Sequence, residues 1–419
     1  MRVMVVGGGA REHTLVWKLA RSKKVKEVYV APGNAGTAQI ASNLDISPTN
    51  LDALTKAAQE KRIDLVVIGP EAPLAGGIVD KLQSLGIPAF GPTKEAALIE
   101  SSKVFAKKLM QKYGIPCARD AVFTSFKEAE AYVKRQPIPV VIKADGLAAG
   151  KGAIVAQSRD EALNALSNIM EKRVFGDAGN QVLVEECLVG RETSLLAFTD
   201  GVTVVPLVTA RDYKRALDHD KGLNTGGMGC YSPSRFLDKG ARDKAVETIV
   251  EPVIKAMAKE GKPYKGVLYT GLMLTAEGPK VLEFNARFGD PETQVQLPLL
   301  KSDLVDIMMA VIEGKLAKTE VEWSKESCVG VVIASGGYPG NYKQGFLISG
   351  LERVDRDIIV FHAGTKVDGG KTLTAGGRVL TVVATGKNIA EARERVYSNV
   401  PRISFDSVHY RKDIATEEG

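Results

Sequence analysis

Cysteine and histidine are scarce in this sequence, and neither is clustered. The chain has 419 residues, of which four are cysteines and four are histidines. The cysteines stand far apart, at Cys117, Cys187, Cys230 and Cys328. Such spacing provides neither a disulfide framework nor the paired ligands of a structural zinc site. We therefore expect an enzyme of a reduced compartment, the cytoplasm.

Long apolar runs and clustered basic residues are also missing. No apolar stretch approaches the roughly 20 residues that a membrane span needs. The first residues, MRVMVVGGGAREH, begin a strand at once, so we expect no signal peptide. Lysine and arginine are mixed with acidic residues at a net charge of +6, whereas nucleic-acid-binding proteins usually carry a basic face. We expect a small anionic substrate, with neither a nucleic acid nor a membrane as partner.

Short apolar runs alternate with helical patterns over residues 1–100. This alternation predicts βαβ units and a parallel, Rossmann-like sheet. The first loop lacks the last glycine of the dinucleotide fingerprint, but it is consistent with an anion at a helix N-terminus, with Arg11 as the counter-charge. Ligands bind at the carboxyl ends of such strands, which here lead into GGGAR, APGNAGT, GPEAPL and GPTKEA.

The pattern changes after residue 100. Strands and helices surround Gly-rich and polar loops in residues 101–325, which predicts a mixed α+β domain with a mobile lid at about 120–190. Residues 326–419 contain three apolar runs and one helical pattern, which predicts a small α/β closing domain. The predicted fold class is α/β with three domains, as the chain length allows.

KADGLAAGKG places Lys143 at a strand end and Lys151 in a loop of small residues. It is not a Walker loop, because its glycines are too close together and Gly152 follows the lysine. Backbone N–H groups and ammonium charges around such a loop suit a flap over a triphosphate. A surface hairpin with solvated lysines is the alternative.

VLVEECLVGRE passes from an apolar run to acidic residues. Glu185 and Glu186 follow the run, and Leu188 and Glu192 come next. Such a strand end could line a purine pocket, with the base against the backbone and an acid on the ribose hydroxyls. Paired acids at a strand end are common, so both interpretations stay open.

TARDYKRALDHDKGLNTGGMG combines charge with a Gly-rich turn. Asp212, Lys214 and Arg215 precede the turn at Thr225 to Gly229. Successive backbone N–H groups in such a turn can form an anion-binding nest. We expect a long loop without secondary structure, and such loops are usually functional. A solvated loop is the alternative.

EFNARFGDPETQ carries the clearest chemistry. Because strand side chains alternate between faces, Glu283 and Asn285 should project side by side, about 7 Å apart. Two hard oxygen ligands at this spacing suit Mg²⁺, and Arg287 would lie one step further, near a transferring phosphoryl group. The opposite face is expected to be wholly apolar, with Leu282, Phe284, Ala286 and Phe288, whereas Val281 shares the polar face.

With these segments in order, the chain resembles the ATP-grasp ligases, and within them the glycinamide ribonucleotide synthetase family. The resemblance covers essentially the whole chain, and RFGDPETQ is its most specific motif. One departure is Ala10, where a second glycine often follows Gly9. The other motifs that carry it are GGGAREH, APGNAGT, GPEAPL, FGPTKEAALIESSK, KADGLAAGKG, NTGGMG, RVLTVVATG and RKDI.

The resemblance implies a reaction and a set of ligands. The family joins glycine to 5-phosphoribosylamine with ATP, through a glycyl phosphate, and makes glycinamide ribonucleotide, ADP and phosphate in purine biosynthesis. It implies ATP and Mg²⁺, which Mn²⁺ could replace, and we expect a monomer. Phosphoryl transfer needs positioning and charge neutralisation more than a nucleophile, which fits a chain without a Ser/His/Asp arrangement.

The resemblance also implies roles for individual residues. The residues expected at ATP are Lys103, Lys143, Gly150, Lys151, Glu185, Glu186, Leu188 and Glu192. Those expected at the metal are Glu283 and Asn285, and the expected catalytic residues are Asp212, Lys214 and Arg287. Those expected at the other substrates are Gly9, Arg11, Asn34, Gly36, Thr37, Glu71, Gly226, Gly227, Gly229 and Asp290.

Two alternatives are an ATP-grasp carboxylase, acting on a purine precursor or biotin, and a nucleotide sensor without turnover. A carboxylase should lack the combination of NTGGMG and RFGDPETQ. A pure sensor has no need of a residue such as Arg287 beside the γ-phosphate.

Overall fold

A five-stranded parallel sheet forms the N-terminal part of the protein. In this computed structural model, which describes residues 1–148 and 152–416, its strand order is β3-β2-β1-β4-β5. Helices cover both of its faces. The elements are β1 (Arg2–Gly7), α1 (Ala10–Leu19), β2 (Glu27–Pro32), β3 (Ser42–Asn43), α2 (Leu51–Glu60), β4 (Leu65–Ile68), α3 (Glu71–Gly76), α4 (Ile78–Ser84) and β5 (Ala89–Phe90).

The apolar runs of this sheet are buried on both faces. In β1, Met4 and Val6 belong to one hydrophobic core, whereas Val3 and Val5 belong to another on the opposite face. A strand covered on both faces needs a continuous apolar run rather than an alternating one. This requirement explains the RVMVVG pattern and confirms the predicted parallel, Rossmann-like sheet.

An antiparallel sheet with its own core follows. The order of this first antiparallel sheet is β6-β9-β7-β8, and α7 and α8 pack on it around Ile142, Val184 and Leu166. The predicted strand-loop-strand hairpin of KADGLAAGKG is β7 and β8. The elements are α5 (Leu98–Ser101), α6 (Lys103–Tyr113), β6 (Asp120–Phe123), α7 (Phe126–Val133), β7 (Val140–Ala144), β8 (Ala153–Ala156), α8 (Arg159–Leu166) and β9 (Val182–Glu186).

A second antiparallel sheet, β11-β10-β16-β17, packs beside the N-terminal part. Buried residues of β10 and β16 join the two hydrophobic cores of the N-terminal sheet, so this sheet is fixed to it. The elements of this region are β10 (Arg191–Thr199), β11 (Val204–Pro206), α9 (Lys239–Ala245), α10 (Glu251–Lys259), β16 (Gly266–Thr275), β17 (Gly278–Asn285), α11 (Glu292–Gln296) and α12 (Leu304–Glu313).

The C-terminal sheet combines distant parts of the chain. Its order is β12-β15-β18-β22-β19, with β23 paired to β18. It therefore takes strands from both sides of residue 326; the predicted domain limits remain a prediction. The elements are β12 (Arg211–Asp212), β13 (Arg215–Leu217), β14 (Lys221–Asn224), β15 (Gly229–Ser232), β18 (Ser327–Ser335), β19 (Ile359–His362), β20 (Thr365–Asp368), β21 (Lys371–Thr374), β22 (Arg378–Gly386), α13 (Ile389–Asn399) and β23 (Val408–His409).

The polar segment between Thr209 and Gly229 is not the unstructured loop that the sequence predicts. It contains β12, the hairpin of β13 and β14, and the start of β15. The end of this segment is ordered by the pairing of β15 with β18. Because β18 lies about 100 residues further along the chain, the local sequence could not predict this pairing.

Among the described residues, no helix is long and apolar enough to cross a membrane.

Candidate active site

A pocket of about 770 Å³ lies between the first and second antiparallel sheets. It brings together most of the residues that the sequence singled out. Gly150 and Lys151 fall outside the described residues, and the pocket lining does not include Gly9, Arg11, Asn34, Gly36, Thr37, Gly227 or Gly229. The predicted residues that line it are Glu71, Lys103, Lys143, Glu185, Glu186, Leu188, Glu192, Asp212, Lys214, Gly226, Glu283, Asn285, Arg287 and Asp290.

Lys143 is the next-to-last residue of β7 and lines the pocket. Its ammonium group lies 2.7 Å from Glu185 Oε2 and donates to the carbonyl of Leu282 at 2.9 Å. Lys107, which the sequence analysis missed, approaches Glu185 Oε1 at 3.2 Å and donates to the carbonyl of Ala118 at 2.8 Å. Glu185 is thus buried between two lysines, and its side chain is committed to holding them.

Lys103 begins α6 beneath the same pocket. Ser102 caps this helix, since its hydroxyl accepts from the N–H of Phe105 at 3.0 Å. Lys103 donates to the carbonyl of Gly146, in the loop after β7, at 3.0 Å. Burial lowers the pKa of Lys103, against the attraction of Glu283. The helix start therefore fixes a cation beside the loop that the sequence predicted to cover a triphosphate.

Strand β17 departs from the strict alternation that the sequence predicts. Its register against β16 shifts between Glu283 and Val281, so Leu282 forms a bulge. Val281, predicted on the polar face, is buried in the core, while Leu282, predicted on the apolar face, lines the pocket. Bulges re-aim side chains next to active sites. The exposed carbonyl of Leu282 is the group that Lys143 binds.

Beyond the bulge, Glu283 and Asn285 lie side by side as predicted. Asn285 Nδ2 is 3.5 Å from Glu283 Oε1. Burial raises the pKa of Glu283, but Lys214, Lys143 and Lys103 outweigh it and lower the pKa. An ionised carboxylate beside an amide oxygen is a donor pair that fits Mg²⁺. Among residues 1–148 and 152–416, no three His, Cys, Asp or Glu side chains form a metal site.

Arg287 lies just past the end of β17 and is held by two acids. Its Nε is 3.0 Å from Glu71 Oε2 and 3.5 Å from Glu100 Oε1. Glu100, also missed by the sequence analysis, accepts from the N–H of Ala286 at 2.6 Å. Burial raises the pKa of Glu100 to about 7, against the attraction of Arg287. The guanidinium is therefore fixed in place before any substrate binds.

Asp212 and Lys214 flank Tyr213 on the opposite side of the pocket. Lys214 pairs with Glu192, which joins a predicted catalytic residue to the predicted ribose-binding acid. Burial, followed by repulsion from Glu292, raises the pKa of Asp212 well above its usual range. Asp212 Oδ1 is buried without a hydrogen-bond partner among the described residues. Buried polar atoms without a partner are rare, and a bound ligand, ion or water is one explanation for them.

Glu292 begins α11 and faces the pocket, although the sequence analysis did not select it. Its Oε1 accepts from the hydroxyl of Ser194 at 2.9 Å, and this hydroxyl lies 2.8 Å from the hydroxyl of Tyr269. The three groups link α11, β10 and β16. The chain of hydrogen bonds anchors a second carboxylate beside Asp212.

The Gly-rich turn before β15 does not present a row of free N–H groups. Gly226 donates to the hydroxyl of Tyr338 at 2.9 Å, and Gly227 donates to Thr225 Oγ1 at 2.9 Å. The predicted anion nest is therefore not what this conformation forms. Gly229 belongs to β15 rather than to the turn, and it packs against Ile414.

The N-terminal loop lies beside the Asp290 end of the pocket. Arg11 is buried, pairs with Glu12 at 2.6 Å and donates to the carbonyl of Phe288 at 3.2 Å. The N–H of Gly9 donates to Glu12 Oε2 at 2.7 Å, so the counter-charge and the helix-start N–H predicted for an anion both have partners. A Cβ atom on Gly9 would lie 3.7 Å from Asp290 Oδ2, which shows how close this loop comes.

Asn34, Gly36 and Thr37 shape the second loop from within. Asn34 Oδ1 accepts from the N–H groups of Gly36 and Thr37 at 2.9 and 3.0 Å. Asn34 Nδ2 donates to the carbonyl of His362 at 2.7 Å. These side chains close the loop and join it to the C-terminal sheet. Their predicted role at 5-phosphoribosylamine stays a prediction.

The predicted adenine end contains the last residue of β9 and the chain that follows it. Glu186 accepts from the N–H and Nε of Arg119 at 2.9 and 2.8 Å, so its side chain is held at the rim. Leu188 and Met273 both line the pocket. Of the missed residues, Lys107 had a sequence signal, because it lies one helical turn after Lys103 and shares its face.

Family models match three segments of the chain. The N domain of phosphoribosylglycinamide synthetase matches residues 1–100, its ATP-grasp (A) domain matches residues 101–293, and its C domain matches residues 328–417. These matches cover most of the chain in the order that the sequence motifs suggested.

Individual relatives agree with these matches. The phosphoribosylamine–glycine ligases of Caldanaerobacter subterraneus subsp. tengcongensis and Halalkalibacterium halodurans are 51% and 50% identical; the alignments cover 99% and 100% of this chain and 99% and 97% of theirs. A solved phosphoribosylamine–glycine ligase of Thermotoga maritima has a TM-score of 0.87 at 36% identity, with coverage of 99% and 100%. A biotin carboxylase of Campylobacter jejuni, at 15% identity and a TM-score of 0.74, covers 97% of this chain and 92% of its own and shares the fold.

Proposed function

The chain belongs to the phosphoribosylglycinamide synthetase family, and from this premise we propose how its pocket carries out the ATP-dependent ligation of glycine to 5-phosphoribosylamine. The products are glycinamide ribonucleotide, ADP and phosphate. The observation that carries the proposal is the placement of Lys103 and Lys143 around Glu283, Asn285 and Arg287 in one pocket.

We assign ATP to the space between the two antiparallel sheets. Its base would lie against the chain at Glu186 to Leu188, and its ribose hydroxyls would reach Glu192. Lys103 and Lys143 would neutralise phosphate charge from below, and Lys151 would approach from the loop above. Phosphoryl transfer depends on such positioning and charge neutralisation.

Glu283 and Asn285 would hold Mg²⁺, or Mn²⁺ in its place. The ion would neutralise charge on the β- and γ-phosphates as a Lewis acid. The three lysines keep Glu283 ionised, so the carboxylate is ready to bind a cation without first losing a proton.

Arg287 and Asp212 would act at glycine. The carboxylate oxygen of glycine attacks the γ-phosphorus, the bond to ADP breaks, and a glycyl phosphate forms. The amine of 5-phosphoribosylamine then attacks the acyl carbon, phosphate leaves, and the amine loses a proton. Arg287, fixed by Glu71 and Glu100, would stabilise the transferring phosphoryl group. The N-terminal loops and Asp290 would face 5-phosphoribosylamine.

An ADP-release assay with each substrate omitted in turn tests the reaction. We expect ADP only when ATP, glycine and 5-phosphoribosylamine are all present. ADP release that requires bicarbonate instead of glycine would establish the carboxylase alternative, and nucleotide binding without ADP release would establish the sensor. A cytoplasmic location and a monomeric state are proposals too, the latter tested by the mass measured in solution.

A further inference from the structure

Arg378 begins β22 and lies between the C-terminal sheet and the active site. Its Nη1 donates to the carbonyl of Gly226 at 2.6 Å and to the carbonyl of Asp290 at 3.2 Å. Its Nη2 lies 3.1 Å from Asp290 Oδ2. One guanidinium from the C-terminal sheet therefore joins the Gly-rich turn to the segment after β17.

The same sheet holds the other side of Gly226. The hydroxyl of Tyr338, which follows β18, accepts from the N–H of Gly226 at 2.9 Å. A Cβ atom on Gly226 would lie only 2.9 Å from Arg378 Cζ. Both backbone polar groups of Gly226 are thus bound by C-terminal side chains, and a larger residue there would displace the Arg378 guanidinium.

The Gly-rich turn also packs against Asp212. Gly227 has a φ of +112°, and a Cβ atom there would lie 2.6 Å from Asp212 Oδ1 and 2.4 Å from Pro291 Cδ. Asp212 Oδ1 has no hydrogen-bond partner among the described residues. Packing rather than hydrogen bonding therefore fixes this oxygen, and any shift of the turn would change the space around it.

Arg378 also interacts electrostatically with the acidic groups around the turn. Burial lowers the pKa of Arg378, but Asp290, Tyr338, Asp212 and Glu292 outweigh it and raise the pKa. Arg378 also opposes the burial that raises the pKa of Asp212. The guanidinium thus stays charged, and its positive charge reduces the repulsion among the carboxylates at this end of the pocket.

We propose that Arg378 is a positioning residue of the active site, which holds the turn at 225–228 and Asp290 in register with Asp212. It does not line the pocket and acts through these neighbours. The C-terminal sheet thereby contributes to the glycine end of the site and leaves the ATP end unaffected. This inference rests on the proposed function, because that function places glycine at Asp212.

Arg378→Met and Arg378→Lys test the proposal. We expect Arg378→Met to raise the KM for glycine by about tenfold to a hundredfold, since a small misplacement of binding groups has effects of this size. The dissociation constant of ATP, measured by calorimetry, should change less than about twofold. Arg378→Lys keeps the charge and should recover part of the loss.

Arg402→Met is the matched control. Like Arg378, Arg402 binds two carbonyls and one carboxylate, here of Ser398, Arg353 and Asp355 at 3.1, 2.9 and 2.6 Å, but wholly within the C-terminal part. It should leave the KM for glycine unchanged. An Arg378→Met variant with an unchanged KM for glycine, or with ATP affinity reduced equally, would overturn the proposal, since the latter indicates a general structural role.

Tyr338→Phe provides a second test if Arg378→Met does not fold. It removes only the hydroxyl that binds the N–H of Gly226, and we expect the KM for glycine to rise about threefold; an unchanged value overturns the proposal. A wild-type chain that forms no ADP with all substrates present would refute the proposed function instead. In that case a crystal structure of Arg378→Lys with the turn unmoved against Asp212 would separately overturn the positioning role.

Discussion

Glu283 is the charged member of the proposed metal-binding pair. Three lysines lower its pKa although burial opposes them. We therefore expect Glu283→Ala to abolish Mg-ATP turnover, because the variant loses the charged ligand of the proposed metal site. Steady-state ADP release and the Mg²⁺ dependence of ATP binding by calorimetry measure this. Normal kcat in the variant would contradict the metal assignment.

Glu277→Ala is the control for that prediction. Glu277 precedes the same strand, is exposed, and pairs with Lys280 at 2.7 Å on the surface. Surface ion pairs contribute roughly 0–1 kcal/mol, so both stability and turnover should stay near wild type.

Lys107 lines the pocket, although it was not among the predicted site residues. It shares Glu185 with Lys143 and is almost fully buried. Removing one partner of a buried ion pair costs about 3–5 kcal/mol, so Lys107→Met should lower the free energy of unfolding and raise the KM for ATP. Urea unfolding and ATP kinetics measure the two effects. Lys108→Met, at an exposed neighbouring position, should change neither.

At the residue scale, the sequence predicted the polar groups better than their partners. Glu283 and Asn285 lie in EFNARFGDPETQ, and Lys143 lies in KADGLAAGKG. Each of these short segments was enough to predict the chemical role of its polar side chains. Arg378 lies in the motif RVLTVVATG, but the motif does not indicate its role, because that role depends on contacts with Gly226 and Asp290, which lie far from it in the chain. Local patterns do not encode such long-range pairs.

At the element scale, β17 shows where periodicity fails. Alternation correctly placed Glu283 and Asn285 together, but the bulge at Leu282 exchanged the faces of Leu282 and Val281. The register of a strand is set by its partner, here β16, and no local pattern reports an extra residue. The bulge also frees the carbonyl that Lys143 binds.

The turn before β15 offers a test at the same scale. Gly227→Ala adds a Cβ atom at 2.4 Å from Pro291 Cδ, at a φ that L residues rarely adopt. We expect kcat/KM to fall, because the turn must move against Asp212. Gly278→Ala is a matched control, since Gly278 has a similar φ of +114° and open space around its Cβ position. An equal effect of both substitutions on kcat/KM would assign the loss to backbone strain.

At the scale of the whole molecule, the sequence identified the parallel sheet, the hairpin of β7 and β8, and the strands β18, β19 and β22. It could not show that β12 and β15 join the C-terminal sheet. Pairing between strands separated by most of a domain depends on the three-dimensional arrangement. The active site therefore depends on the C-terminal sheet to an extent that the motif order alone does not reveal.

The contact between the N-terminal and C-terminal parts contains a pair of buried histidines. His13 Nδ1 accepts from the N–H of His362 at 2.8 Å, and the two rings lie 5.7 Å apart. Burial, with repulsion from His362, lowers the pKa of His13 to about 3, and burial lowers that of His362 to about 4. Both side chains are therefore neutral in the folded protein at neutral pH.

This pair predicts a loss of stability in acid. Because the folded pKa values lie below the unfolded value of about 6.5, the unfolded chain takes up protons first as the pH falls. The contribution is fully present above about pH 6.5 and decreases toward the folded pKa values, with a loss of about 2 kcal/mol per histidine at pH 5. His13→Asn keeps an acceptor for the N–H of His362 and should show a smaller difference in unfolding free energy between pH 7.5 and about 5. The exposed His219→Asn should behave as wild type, and an unchanged difference in His13→Asn would exclude His13 as the source.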